Sequence, residues 1–321
     1  MKFAMQTFHR FTPCLVVAAL LATGAAIAAG KPSPGGEERI AAPLLWQVQG
    51  TKAVHYLIGS VHMLPASAYP LPAPLESAYA ATRGLVLEAD LAGLNAPELQ
   101  GRMLGAAKDD SSGGLKSRIG DTLYRKLQQR AAAMGVPGPL CDDFRAWFCA
   151  LTLELIGMQR AGFGAEYGVD QHFFDRARED GRAVTGLESP EQQLALFIEM
   201  PETMSTNLLA ATLDETTSES QNPEELLRIW REGDLPALEK MLKDLRRQYP
   251  GVYARLLADR NRAWIPKLTA LFGSDAPQLV IVGAAHFAGP DGLLALLKEK
   301  GVSVRPVTGP IAPGEVPAKK E

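Results

Sequence analysis

Hydrophobic residues in this chain follow two rhythms. Towards both ends they gather in short runs, and through the middle they recur every three or four positions. Leu44–Val48 and Val54–Ile58 are apolar, partly alternating runs on either side of Gly50-Thr51-Lys52, which predicts a β-hairpin. Gly84–Glu88 is a continuous apolar run after a charged helix end, the pattern of a buried strand. Ala183–Glu188 repeats it in shorter form, and Leu279–Val282 in stronger form. Val302–Val307 predicts an edge strand, because Pro306 lacks the amide that a central position needs.

Between these runs the pattern is helical. Leu115, Ile119, Leu123, Leu127 and Ala131 recur at four-residue steps within Leu115–Met134. Asp143–Arg160 is densely apolar and predicts a buried helix; Gly168–Glu179 predicts a shorter one ended by Asp180-Gly181. Glu191–Thr217 is long and should kink or split at Met200-Pro201. Pro223–Arg231 and Pro236–Arg247 each begin with proline just inside a helix, after an Asn or Asp cap. Tyr253–Phe272 and Gly292–Lys300 complete the series. The fold class that follows is α/β: a mixed sheet built from both ends of the chain, flanked by helices, with a helical middle segment. The expected organisation is one domain over residues 43–308, with a helical insertion at about 191–247 and a disordered tail at 309–321.

The first residues change the picture of where the protein works. Lys2, His9 and Arg10 precede an apolar run from Leu15 to Ala29, and Ala26-Ile27-Ala28 offers small residues for cleavage. This reads as a secretory signal peptide over 1–28, then a disordered lead-in over 29–42, and it places the mature protein in the periplasm. Losing Lys2 and Arg10 reduces 33 basic residues to 31 against 36 acidic ones, a net charge of −5. That balance argues against nucleic acid as a partner, and no stable membrane span is expected after cleavage. Cys141 and Cys149 survive cleavage. On a straight helix they would lie about 12 Å apart, beyond disulfide reach. Two buried thiols are therefore the expectation; a bond would require Cys141 to fold back from the Pro137-Gly138-Pro139 loop. The chain has no Gly-x-Gly-x-x-Gly loop, so nothing supports nucleotide chemistry.

Candidate chemistry gathers at strand ends. His62 follows the Val54–Gly59 run, Glu88 ends Leu85–Leu87, Glu188 ends Val184–Leu187, and His286 follows Leu279–Val282. Ligands in open α/β sheets bind beyond the carboxyl ends of strands. The two histidines share one frame, an apolar run, a glycine, two residues and the imidazole. Gly59 and Gly283 are expected to allow a sharp backbone turn or a close approach. His55 reads as a surface residue and His172 as exposed. Asp90, two residues beyond Glu88, is expected on the same face; Asp170 stands where it either caps a helix or serves the site. Gln192 falls on the helix turn after Glu188, and Arg260 offers a forked donor for a carboxylate or anion.

These strings resemble those of the TraB/GumN family, the TraB–PrgY–GumN group that includes the Tiki proteases. The matching segments are Gly59-Ser60-Val61-His62 with Pro70-Leu71-Pro72; Val86-Leu87-Glu88-Ala89-Asp90; Gly168-Val169-Asp170-Gln171 with Phe173; Gly186-Leu187-Glu188-Ser189 with Glu191-Gln192; Arg260-Asn261; and Val282-Gly283-Ala284-Ala285-His286 with Gly289-Pro290-Asp291-Gly292. The resemblance implies a metal-dependent hydrolase with His62, Glu88 and His286 central to its site. The family often has a second glycine before the final histidine and an aliphatic residue after it. Ala285 and Phe287 stand there in this chain, and their bulk is expected to narrow the pocket.

The leading expectation is hydrolysis of a peptide, saccharide or small-molecule substrate. His62, His286 and Glu88 would hold a divalent Mn, Co or Zn ion, with Glu88 as ligand or general base, Glu188 behind it, and Arg260 steadying the oxyanion. Two alternatives remain open: a metal-free esterase-type hydrolase using the same groups, and a non-catalytic envelope binding or assembly protein.

Overall fold

The computed structural model describes residues 44–109, 113–136, 138–214, 222–309 and 311. The signal peptide, the lead-in and all of the tail except residues 309 and 311 lie outside them, as does the end of the 191–217 run.

Six strands form one mixed sheet: β1 (Leu45–Gln49), β2 (Val54–Ser60), β3 (Gly84–Leu87), β4 (Ala183–Gly186), β5 (Gln278–Gly283) and β6 (Val304–Pro306), in the order β4-β3-β5-β2-β1-β6. The hairpin pairs β1 with β2 antiparallel, while β2–β5, β5–β3 and β3–β4 are parallel. Residues 44–60 and 278–306 thus meet in one sheet, and the chain between them supplies helices. β6 is an edge strand pairing Pro306 opposite Trp46, as its proline requires. β4 forms the other edge and is mostly exposed, so it is not the buried strand its apolar run predicts.

The helices begin and end where their sequences direct. They are α1 (Ala73–Ala80), α2 (Pro97–Ala107), α3 (Gly114–Ala133), α4 (Ala146–Arg160), α5 (Val169–Glu179), α6 (Pro190–Ile198), α7 (Glu202–Leu213), α8 (Pro223–Glu232), α9 (Leu235–Gln248), α10 (Asp259–Leu271) and α11 (Leu293–Glu299). Pro201 separates α6 from α7 as expected. Asn222 and Asp234 cap α8 and α9 through their side chains, with proline in the first turn of each. α3 is interrupted at Gly120, whose φ of 76° leaves the helical region. Among the described residues no helix is long and apolar enough to cross a membrane.

Two expectations fail here for definable reasons. Cys141 and Cys149 are bonded, with Cα atoms 5.5 Å apart. The straight-helix spacing does not apply, because Cys141 ends a 3-10 turn at Gly138–Cys141 and α4 starts only at Ala146. His55 is fully buried, not on the surface. β2 lies inside the sheet and is buried along its whole length. The His55 ring packs 5.4 Å from Phe272, and its Nδ1 accepts the Gln278 amide.

Candidate functional site

The parallel register of β3, β5 and β2 brings the candidates together. Ser60 lies opposite Gly283 and Val86 opposite Val280, so all three strands leave the sheet at one edge. His62, Glu88 and His286 are the residues just past that edge. His62 Nε2 lies 3.9 Å from Glu88 Oε1, and His286 Nε2 lies 3.6 Å from the same oxygen. The three converge over Gly283, where an added Cβ would stand 3.2 Å from Glu88 Oε1 and 3.4 Å from His62 Nε2.

Neither of the two framing glycines needs a left-handed conformation, since neither has positive φ. Their value is close approach. At Gly59 a Cβ would stand 3.0 Å from the Leu44 side chain and 3.3 Å from Ala284.

Each imidazole is held from behind. Gly168 lets the start of α5 press on the His62 loop: a Cβ there would fall 2.3 Å from the His62 carbonyl oxygen. Val169 N donates to Val61 O, and Asp170 then faces His62 Nδ1 at 2.7 Å. Asp170 is therefore a partner of His62, also accepting from Ser60, and Gly168 takes the N-cap position. His286 sits on a 3-10 turn, Ala284–Phe287. Its Nδ1 lies 2.6 Å from Asn261 Oδ1. Asn261 Nδ2 donates to the carbonyls of Asp291 and His286, which leaves Oδ1 as an acceptor and fixes the proton on Nδ1. The His286 Nε2 lone pair consequently points into the site.

Arg260 crosses the centre and is 4% exposed. It donates to Glu88 and Glu188, to Leu256 O, and from Nη1 to His286 Nε2 at 3.2 Å. All five of its N–H groups are engaged, so it holds the two glutamates and has none free for an oxyanion in this state. Its guanidinium also lies 4.7 Å from the Trp264 ring, whose Nε1 donates to Glu188. Glu88 further accepts the Gly283 amide at 2.8 Å and Gln193 Nε2 at 3.2 Å.

The charges set the protonation states. Burial alone would raise the Glu88 carboxyl, but Arg260, the imidazoles and the Gly283 amide outweigh it and hold Glu88 well below the usual range. Burial would lower His62, yet Asp170 and Glu88 raise it to about 9. His286 is depressed to about 3 by burial, with Arg260 adding to the effect. The two histidines therefore differ, one charged and one neutral at pH 7.

Other candidates stand elsewhere. Asp90 turns away to accept the Ala92 amide and cap the turn Leu91–Leu94. Gln192 forms a capping box with Ser189 at the start of α6. His172 is half-buried, not exposed, and pairs with Glu76 at 2.9 Å. Asn261, Gln193 and Trp264 are site residues that the sequence reading did not assign. The available signal was a buried amide or indole within an otherwise apolar helix face.

The sequence pattern of the TraB/PrgY/gumN family matches residues 44–306. The chain belongs to the TraB/PrgY/gumN family. The match takes in every strand of the sheet and every residue of the cluster. A relative, "Uncharacterized protein YbaP" of Escherichia coli (strain K12), is 27% identical over 243 residues, covering 76% of this chain and 87% of that protein. YbaP of Shigella flexneri matches to the same extent. No solved structure matches the chain. At the position where this TraB/PrgY/gumN chain carries Ala285, the side chain lines the pocket. Phe287 turns into the core and stacks on Trp46 at 4.5 Å.

Proposed function

We propose that the protein is an exported hydrolase that activates water at His62, Glu88 and His286. The observation that carries this reading is the convergence of two imidazole Nε2 atoms on one Glu88 oxygen, with each Nδ1 already committed to Asp170 or Asn261. Imidazoles held through their second nitrogen in this way are oriented as metal ligands are. Glu88 and Glu188 share the Arg260 guanidinium and Asp170 faces His62, so once His62 gives up its proton to act as a ligand, three carboxylates stand against one fixed cation, an excess that a divalent ion would offset. Among the described residues no group of three His, Cys, Asp or Glu side chains is closed tightly enough to grip an ion as it stands. The Arg260 hydrogen bond also engages the His286 lone pair that a ligand would use. In chemical type the donor set nonetheless fits, and His62, His286 and Glu88 would hold the ion.

A bound divalent ion would lower the pKa of water and polarise the carbonyl under attack. The chain's own residues do the rest. Asp170 and Asn261 fix the imidazoles, and Arg260 with Gln193 positions Glu88. The Cys141–Cys149 bond supports an oxidising compartment, in keeping with export to the periplasm.

A metal-free second reading draws on one contact. Asp170 and His62 form a 2.7 Å dyad that keeps the imidazole protonated, the state of a general acid that donates to a leaving group. The test is calorimetric titration of chelator-treated full-length protein with Mn, Co and Zn, beside ester and amide hydrolysis in the same samples. The metal reading expects one saturable site that restores hydrolysis and is absent in His286→Ala. Hydrolysis that persists without any ion belongs to the dyad, and no hydrolysis under either condition refutes both.

A further inference from the structure

The cluster opens into a pocket whose wall is almost wholly aliphatic. Leu226 and Trp230 of α8, Leu238, Leu242 and Leu245 of α9, and Leu256 beyond it face the strand ends. The cavity left among them is about 70 Å³ and is partly open to solvent, room for a short alkyl segment. Among the described residues its polar side chains besides the Trp230 indole are Ser60, His62, Glu88 and His286, all at the floor. Trp230 Nε1 is already spent on Gly59 O at 2.9 Å, and Ser60 Oγ on Asp170. The wall therefore offers an entering ligand no charge and no side-chain hydrogen bond.

The strand edges are closed as well. β2 is paired with β1 and β5, and β5 with β2 and β3, so neither strand reaching the pocket has a free edge. A peptide laid along this pocket could not add to the sheet and would bury N–H and C=O groups against an aliphatic wall, at a cost an alkyl chain does not incur.

Resting on the hydrolase reading, we infer that the pocket holds the aliphatic chain of an acyl substrate, an ester or amide whose carbonyl meets the His62–Glu88–His286 floor. In the step proposed, water oxygen bonds to the acyl carbon and the bond from that carbon to the leaving oxygen or nitrogen breaks. One water proton passes to the leaving group, giving a carboxylic acid and an alcohol or amine.

The test uses full-length protein with nitrophenyl esters from acetyl to palmitoyl, matched N-acyl amides, and unacylated apolar peptides. A second arm reads thermal unfolding with the free fatty acids, which needs no turnover. kcat/KM should rise about two- to fourfold per added methylene over the first few carbons and then level off as the pocket fills, and short-chain acids longer than acetate should raise Tm where acetate does not. Leu242→Glu should flatten both dependences. Ala285→Phe, filling the pocket from the strand side, should shorten the preferred chain and keeps the idea testable if Leu242→Glu does not fold. Hydrolysis indifferent to chain length, or preferring unacylated peptides, overturns the acyl assignment and leaves the hydrolase standing. Graded binding that either variant disturbs, without any hydrolysis, sustains the acyl pocket and removes the hydrolase. Absence of both removes both.

Discussion

Replacing Arg260 with methionine tests whether the site is held together by charge. The guanidinium is almost fully buried, and Glu88 beside it is 6% exposed. Methionine roughly matches the length of the side chain and can still lie against Trp264, so packing is largely kept. What is lost is the cation between two carboxylates, together with its hydrogen bonds to Leu256 O and His286 Nε2. Breaking a buried ion pair from one side costs about 3–5 kcal/mol. Glu88 keeps the Gly283 amide and Gln193, which argues for the lower end, about 3 kcal/mol at pH 7.

The pH dependence follows from the depressed Glu88 carboxyl. A group lowered on folding stabilises the native state above its unfolded pKa, and that contribution is lost as pH falls through the folded value. In Arg260→Met the depression disappears and burial pushes Glu88 up, so the variant suffers most when Glu88 is ionised. Urea unfolding at pH 7 and pH 4 measures the difference between variant and parent. It should be about 3 kcal/mol at pH 7 and smaller at pH 4 by more than about 1 kcal/mol, since one pKa unit is worth about that much. A difference below about 1 kcal/mol at pH 7, or one that does not change with pH, would refute the reasoning.

Other outcomes follow from the same contacts. Asn261→Leu removes the acceptor behind His286 Nδ1 and should lower kcat/KM about 10- to 100-fold, read by ester hydrolysis; unchanged activity would mean the imidazole is oriented by something else. Gly283→Ala sits at φ −51° and ψ 138°, which alanine adopts freely, yet its methyl would enter the convergence point. It should abolish most activity while leaving the urea midpoint close to that of the parent. Cys149→Ser opens the eight-residue separation closed by the disulfide and should cost about 2–3 kcal/mol by chain entropy, measured by urea unfolding under oxidising conditions.

The sheet was legible because its strands carry short apolar or alternating runs, and the central ones, β3 and β5, are buried on folding as continuous runs require. The site was legible because parallel strands deliver their next residues to one edge, so two identical glycine–histidine frames and a terminal glutamate had a common destination. The residues that hold those groups were harder to find. Asn261 and Gln193 come from helices, where a polar residue on an apolar face reads as a packing irregularity until its partner is known. His55 misled because alternation in a hairpin suggests an exposed face, and only the pairing of β2 with β5 makes it interior. The disulfide misled because helix spacing was applied across a 3-10 turn. The aliphatic pocket was invisible, since the α8 and α9 leucines that form it look like any amphipathic helix face.

In the proposed hydrolase His62 and His286 act as one centre. The decisive measurement is a double-mutant cycle in hydrolysis, comparing His62→Ala, His286→Ala and both together. If they share one reaction centre, each single change removes about as much kcat/KM as the pair, because groups acting as a unit are non-additive. Losses that simply add, or activity untouched by either change, would mean that the two imidazoles do not share a reaction centre.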